Sequence, residues 1–393
     1  MELGIMAKLL PEINRDNLVR SLMELIAAKS VNPFDAEVCD GFCEKAAADY
    51  YARKMAELGL EVQSDAVGAG RVNVFGFLRG TGEKSSLMLA GHLDTVDAAD
   101  EAFKPQAHDG KVFGRGACDM KAALAAYLEV ARVIVESGLK LKGDLILGGI
   151  ADEEYQMLGS RFVGAHGPRA GQCIIGEPTE LRVCPVNKGH ICLYIKTFGR
   201  SVHSSVPEEG ISAIEKMMKV ISAFGQYHKE LRGRKPHPLC GTASFCSSVI
   251  RGGSLATAVP DYCELEVDRR ILPGETKEDV YTEFRRLLDG LAAADPDFKY
   301  ELSNPTFDIA SNEISENEPV VQALLEPYGR ITGRERVVYG LPFGTDAPNM
   351  GCPTVVSGPG SISQAHSADE YVEIDQLEKA AQMYLAATVK LLT

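Results

Sequence analysis

The sequence has no C-x-x-C pair, no long basic run and no apolar stretch near the ~20 residues needed to span a bilayer. Without C-x-x-C, zinc ribbons and thioredoxin-like redox sites are not expected. The ten cysteines follow no framework: three residues separate Cys39 from Cys43, and five separate Cys240 from Cys246. They read as reduced, mostly buried thiols of a cytoplasmic protein. Lys plus Arg is 41 against 55 for Asp plus Glu, a net charge of −14. A nucleic-acid binder would show a basic patch or tail; an acidic chain with no long basic run is not expected to bind nucleic acid. It also suits a protein that stays off membranes. The stretch before residue 17 holds a short apolar patch broken by Lys8, Pro11 and Glu12, so no signal peptide is expected. No internal repeat or low-complexity tract occurs.

What is present is ordinary globular material. The chain has 393 residues, 45% hydrophobic and 24% charged. At ~100–200 residues per domain it makes one large or two ordinary domains, and it can bury a substantial core. Apolar spacing predicts a helix over 15–29 around Leu18, Leu22, Leu25 and Ile26, with Asp16 as N-cap. A second helix is predicted over 43–58, then short strands over 60–63, 73–77 and 86–90. An irregular stretch over 97–118 precedes a strong helix beginning at Met120. Apolar runs at 144–150 and 173–175 follow. Strands alternating with helices predict an α/β domain with a largely parallel sheet.

The middle changes character. Strands at 191–197, 242–250 and 262–270 and helices at 211–231 and 277–293 predict a compact α+β unit. The α/β style then returns, with helices at 318–329 and 374–391 and a strand at 354–357. The expected division is a catalytic domain of 1–189 and 304–393, with an inserted domain of 190–303.

Three apolar strands each run into a metal-capable residue. One leads to Gly91-His92-Leu93-Asp94, one to Asp152-Glu153-Glu154, and one to Gly176-Glu177-Pro178. In open α/β sheets ligands bind beyond the carboxyl ends of strands. If these strands are neighbours, His92, Glu154 and Glu177 converge at one rim. Each residue alone has a blander reading. His92 is then a core or surface histidine, Asp119 an N-cap, and Glu153 and Glu154 solvated loop charges. Glu177 is then a turn residue and His366 an exposed loop residue. Their repeated placement after apolar strands favours a joint role. Imidazole and carboxylate donors suit zinc, with manganese or cobalt as substitutes. A carboxylate can bridge two ions, and bridged ions acidify bound water and polarise a carbonyl. A separate carboxylate must then take the water proton.

The motifs GHLDTV (91–96), GRGACDMKAALAA (114–126), ADEE (151–154), IIGEPT (174–179), GRSVHSSVPEEG (199–210) and QAHSADEY (364–371) stand in one order. With them the chain resembles the co-catalytic metal-dependent amidohydrolases and peptidases. That family includes acetylornithine deacetylase, succinyl-diaminopimelate desuccinylase, aminoacylase and carboxypeptidase G. The resemblance implies a three-layer α/β catalytic domain with a mixed, mostly parallel sheet, and an inserted ferredoxin-like lid that dimerises. It implies two divalent ions: His92 and Glu177 on one, Glu154 and His366 on the other, Asp119 bridging. Asp94 is implied to hydrogen-bond His92 and fix its tautomer, and Glu153 to be the general base. His203 is implied to stabilise the oxyanion from the partner subunit of a homodimer.

Arg270, in DRRILPGE, matches the family arginine that holds a substrate carboxylate. Arg269 should point to the other strand face. LPFGTDAPNMG (341–351) resembles a loop lining the substrate pocket, with Gly344 in it and Asp346 facing a substrate amine. One position departs: where the family usually has asparagine, three residues before Pro260, this chain has Thr257.

The implied reaction is hydrolysis of an N-acyl amino acid, with the tail GPGSISQAHSADEYV most like the acetylornithine deacetylase branch. Alternatives are desuccinylation, dipeptide or folate-type carboxypeptidase action, or aminohydrolysis of another C–N bond, which Thr257 leaves open. A non-enzymatic binding protein is disfavoured because every apparent ligand is present. Nucleotide binding is rejected: GRGACD is not a phosphate loop in the right context.

Overall fold

The computed structural model describes residues 11–34, 36–39, 41–68 and 70–393. They form two compact units. One holds the described residues up to Pro185 together with Ile314–Tyr339 and Thr345–Thr393; the other is Val186–Glu313 with Gly340–Gly344.

The chain opens with α1 (Arg15–Ala27), α2 (Lys45–Glu57), β1 (Glu61–Gly68), β2 (Arg71–Leu78) and β3 (Leu87–His92). Next come β4 (Gln106–His108), β5 (Lys111–Phe113), α3 (Lys121–Ser137) and β6 (Leu145–Ile150). Then α4 (Leu158–His166), β7 (Gln172–Ile175) and β8 (Val183–Asn187) lead to the second unit. That unit carries β9 (Gly189–Phe198), α5 (Ala213–Gly233), β10 (Ser244–Gly252), β11 (Tyr262–Ile271), α6 (Lys277–Ala294), β12 (Lys299–Leu302), β13 (Phe307–Ile309) and β14 (Asn312–Glu313). The chain closes with α7 (Pro319–Thr332), β15 (Val338–Leu341), β16 (Thr354–Val356), β17 (Tyr371–Glu373) and α8 (Ile374–Leu392).

In the first unit the sheet runs β1-β2-β6-β3-β7-β16-β8. Its centre, β6-β3-β7-β16, is parallel; β1, β2 and β8 flank it antiparallel. So the sheet is mixed, with a parallel centre. Every residue of β3 and β6 is buried, as expected for central strands covered on both faces. Helix α2 packs on β1 and β2, and α3 and α8 pack on β3. Glycines set the approach of α3. A Cβ at Gly91 would meet Met120 Cε at 2.1 Å, and one at Gly176 would meet Ala123 Cβ at 2.2 Å. These glycines immediately precede His92 and Glu177, so close helix–sheet packing fixes both strand ends.

Two local expectations change. Helix α1 is capped by the Asn14 side chain, which accepts from Asn17 N–H, while Asp16 sits in the first turn. The stretch expected to be irregular holds β4 and β5, which form a small sheet in the order β17-β5-β4. Its stabilising partner, β17, lies too far along the chain for a local pattern to reveal it.

The second unit has a β-α-β-β-α-β order and an antiparallel sheet β10-β11-β9-β12, the ferredoxin-like arrangement. Strand β13 also pairs with β9. One sheet face, with Ile191, Leu193, Ile195, Leu265 and Val267, packs on Met217, Phe224 and Phe284 of its two helices.

Candidate metal centre

Strand β3 lies between β6 and β7, with His92 in register with Ile150 and Ala90 with Ile175. The chain therefore delivers His92, the 152–154 turn and Glu177 to the same rim. Asp119 arrives just ahead of α3, across a cis Asp119–Met120 peptide. His366 comes from the loop between β16 and β17, with a left-handed φ of 61°.

These side chains gather in two groups that share Asp119: His92, Asp119 and Glu177, and Asp119, Glu154 and His366. The two oxygens of Asp119 face different groups. Oδ1 is 3.0 Å from His92 Nε2, and Oδ2 is 3.5 Å from His366 Nε2. His92 Nε2 is 3.9 Å from Glu177 Oε2, and His366 Nε2 is 3.0 Å from Glu154 Oε2.

Burial and mutual charge set the proton affinities. Burial pushes the Glu153, Glu154 and Glu177 carboxyls up; for Glu153 and Glu177 the rise is large, and neighbouring carboxylates add to it. Burial also opposes a charged His92. Its bond to Asp119 and the charges of Glu177 and Glu153 outweigh that and hold the imidazole well above its usual value. Bonds to Asp119 and Glu154 raise His366 to about 10. Burial would raise Asp119 too, but the bonds from His366 and His92 hold it below the ordinary carboxylate range.

Asp94 does not use its carboxylate on His92. His92 Nδ1 donates to the Asp94 backbone carbonyl at 2.9 Å, and the nearer carboxylate oxygen is 3.7 Å away. That contact still leaves Nε2 free to ligate. The Asp94 carboxylate instead accepts the N–H groups of Glu153 and Glu154, each at 3.1 Å, and Asn32 Nδ2 at 2.7 Å. It therefore orients the turn that carries the two glutamates.

Several supporting residues escaped the sequence reading. Asn32 also donates to Asp152 Oδ1 at 3.0 Å. Arg71 forms buried ion pairs with Glu44 and with Asp152, the latter at 2.9 Å. The Glu370 carboxylate accepts from Gly116, Cys118 and Asp119 N–H at 3.0, 2.9 and 3.1 Å and from Arg115 at 2.7 Å. It thereby clamps the loop that presents Asp119. Glu370 and Arg115 lie inside motifs, and Asp152 adjoins Glu153, so these had a positional signal. Asn32, Glu44 and Arg71 had none.

The substrate-side candidates divide between the units. Asp346 belongs to the first unit and is fully buried, and that burial raises its carboxyl to about 7. Gly344 belongs to the second, where its Cβ position faces Ile309. His203 is exposed in the second unit, with Nδ1 2.8 Å from Ser205 Oγ. Thr257 is also exposed, and its carbonyl accepts Ser204 N–H at 2.9 Å. Local pairing thus puts Thr257 beside His203. Arg270 is half-buried and holds Asp268 through Nε at 3.1 Å and Nη2 at 3.0 Å. Arg269 is fully buried on the opposite face, donating to Tyr227 and Glu275.

The Asp119 cluster fits cations. Glu177 Oε1 is buried without a hydrogen-bond partner among the described residues, and crowded carboxylates with raised proton affinity are relieved by a bound positive charge. Two imidazoles and two glutamates around a shared aspartate make a donor set for borderline divalent ions.

The model of peptidase family M20/M25/M40 matches residues 88–390. The acetylornithine deacetylase of Edwardsiella ictaluri is 35% identical over 333 residues, 82% of this chain and 84% of that one. The acetylornithine deacetylase of Salmonella paratyphi B is 33% identical over 341 residues, covering 81% and 83%. A tripeptidase from Staphylococcus aureus shares the fold with a TM-score of 0.80 at 23% identity, over 97% of this chain and 100% of its own.

Proposed function

This chain belongs to peptidase family M20/M25/M40 and is a metal-dependent hydrolase, and we propose that it cleaves the amide of an N-acyl amino acid carrying a small acyl group, as the acetylornithine deacetylases it resembles do by name. The observation that carries this reading is Asp119, whose two oxygens face two separate ligand groups. In our reading His92, Asp119 and Glu177 hold one divalent ion, and Asp119, Glu154 and His366 hold a second, with zinc the resident metal and cobalt or manganese able to replace it. Such ions, when bound, supply Lewis-acid polarisation of the carbonyl and a more acidic water.

The chain's own groups do the rest. Glu153 takes a proton from the attacking water as the O–C bond forms, then gives it to the amide nitrogen as the C–N bond breaks. The products are a carboxylate and a free amine. Its raised proton affinity suits a group that must hold a proton between the two steps. Asp94 keeps Glu153 and Glu154 in place through their N–H groups. His203 hydrogen-bonds the developing oxyanion, and Arg270 pairs with the substrate carboxylate. Thr257, Gly344 and Asp346 complete the substrate side, with Asp346 acting from a buried position.

We further propose a homodimer through the inserted unit, in which His203 serves the partner's centre. Strand β10 ends the sheet and is exposed along most of its length. Apolar Val249, Ile250, Met218 and Ile221 are exposed on it and on α5. An open apolar edge of this kind favours association. Ten free cysteines favour a reducing, cytoplasmic setting. No helix among the described residues is long and apolar enough to cross a membrane.

The test is a panel of N-acetyl, N-succinyl and N-glutamyl amino acids and dipeptides, assayed after metal removal and after zinc or manganese is restored. Metal-dependent turnover concentrated on N-acetyl amino acids supports the reading. Preference for N-succinyl compounds or dipeptides replaces the acyl assignment. No turnover by metal-loaded protein points to another C–N bond, with Thr257 the first pocket residue to vary.

A further inference from the structure

A second cluster of ligating side chains stands on the inserted sheet, on residues with no part in the Asp119 centre. Strands β9 and β11 pair with Cys192 opposite Asp268 and His190 opposite Arg270. His190 and Cys192 are two residues apart, so they share a face. It is the partly open face, since Ile191, Leu193 and Ile195 point into the core. His190 Nε2 lies 3.0 Å from Cys192 Sγ and 3.0 Å from Asp268 Oδ2. Phe307 of β13 packs edge-on against the imidazole, ring centroids 4.8 Å apart, and limits its rotation.

We propose that His190, Cys192 and Asp268 form a separate site for one borderline-soft divalent cation of the zinc class. One nitrogen, one sulfur and one oxygen donor lie within 4.8 Å of one another, all half-buried. Three protein donors with a fourth position open is a zinc-like arrangement. Bond lengths of ~2.0–2.3 Å put tetrahedral donors roughly 3.3–3.6 Å apart, so the two spacings from His190 need to open by only a few tenths of an ångström. The sulfur selects for zinc or cobalt over magnesium or calcium.

Two costs make this site weaker than one built of free donors. Burial raises the Cys192 thiol to about 12, so the cation must displace its proton to solvent, and binding weakens as pH falls. The cation also competes with Arg270, which holds both oxygens of Asp268. The site should therefore fill only at higher metal concentration. Loading it would loosen Arg270 from Asp268. That last consequence rests on the proposed role of Arg270 toward substrate, and predicts that excess zinc shifts KM.

Cobalt tests the site without reference to activity. The ligands proposed at the Asp119 centre are imidazoles and carboxylates, so a sulfur-to-cobalt charge-transfer band in the near ultraviolet reports on the second cluster. Chelator-stripped full-length protein should develop this band on cobalt titration. Cys192→Ser should lack it while keeping its melting temperature and basal activity. A wild-type protein with no band at saturating cobalt, or a band that persists in Cys192→Ser, overturns the site. If the band behaves as expected but excess zinc leaves KM unchanged, the link to Arg270 is overturned. If no amide is hydrolysed at all, the band still reads the metal site and only the proposed reaction fails.

Discussion

Glu153 and Glu154 are adjacent in sequence, yet the structure treats them differently. Glu154 is drawn to His366 at 3.0 Å, whereas desolvation raises the proton affinity of Glu153 and neighbouring carboxylates add to it. That division matches a ligand beside a proton carrier. Glu153→Gln should keep its metal, measured by elemental analysis, and lose more than about a hundredfold in kcat, or roughly 3 kcal/mol of barrier. Near-normal turnover would remove Glu153 as the base. The proposed ligands would also make metal retention pH-dependent. His92, Glu154, Glu177 and His366 all hold protons more tightly than the free side chains do. Only their deprotonated forms ligate, so protons compete with metal and retention falls as pH falls. Dialysis at about pH 8 should leave metal bound, and dialysis near pH 5 should release it with net proton uptake. Equal retention at both would contradict the ligand assignment.

At the scale of elements, the centre depends on pieces far apart in sequence. Glu370, at the edge of β17, satisfies three N–H groups of the loop before α3 and pairs with Arg115. Removing it leaves a buried guanidinium and several unpaired donors. Glu370→Ala should therefore cost about 3–5 kcal/mol of unfolding free energy and weaken metal binding with it. Glu370→Gln should recover part of both, and denaturant melts with metal analysis would measure the two together. This clamp also marks what could be read in the chain. The apolar runs ending in His92, Glu153-Glu154 and Glu177 gave the parallel centre of the sheet and its rim, because a buried strand and its exit turn are local patterns. The β-α-β-β-α order of the insert was equally local. Pairing of β17 with β5, the Arg71–Glu44 ion pair and the Asn32 bridge join distant segments, and no local periodicity encodes them. The Asp94 contact shows the same limit: the resemblance implies a hydrogen bond to His92 without saying which atom makes it, and the structure gives it to the backbone carbonyl.

For the whole molecule, the question is whether one chain suffices. His203 and Thr257 lie together on the inserted unit, which also carries the exposed β10 edge. If His203 serves the partner's centre, two defective variants should rescue each other. His203→Ala and Glu153→Gln, each impaired alone, should regain activity when refolded together, because a mixed dimer holds one intact centre. Co-refolding without any gain would mean that His203 acts within its own chain or not at all.

In the proposed reading, a pair of divalent ions at Asp119 makes this chain an amidohydrolase. The most direct measurement is a zinc titration of chelator-stripped protein, with amine release from an N-acetyl amino acid read at each addition. No release is expected without zinc, and release should rise and saturate near about two equivalents per chain, as a two-metal site requires. No rise is expected in Asp119→Ala. Amine release that survives complete metal removal, or that Asp119→Ala retains, would contradict that reading.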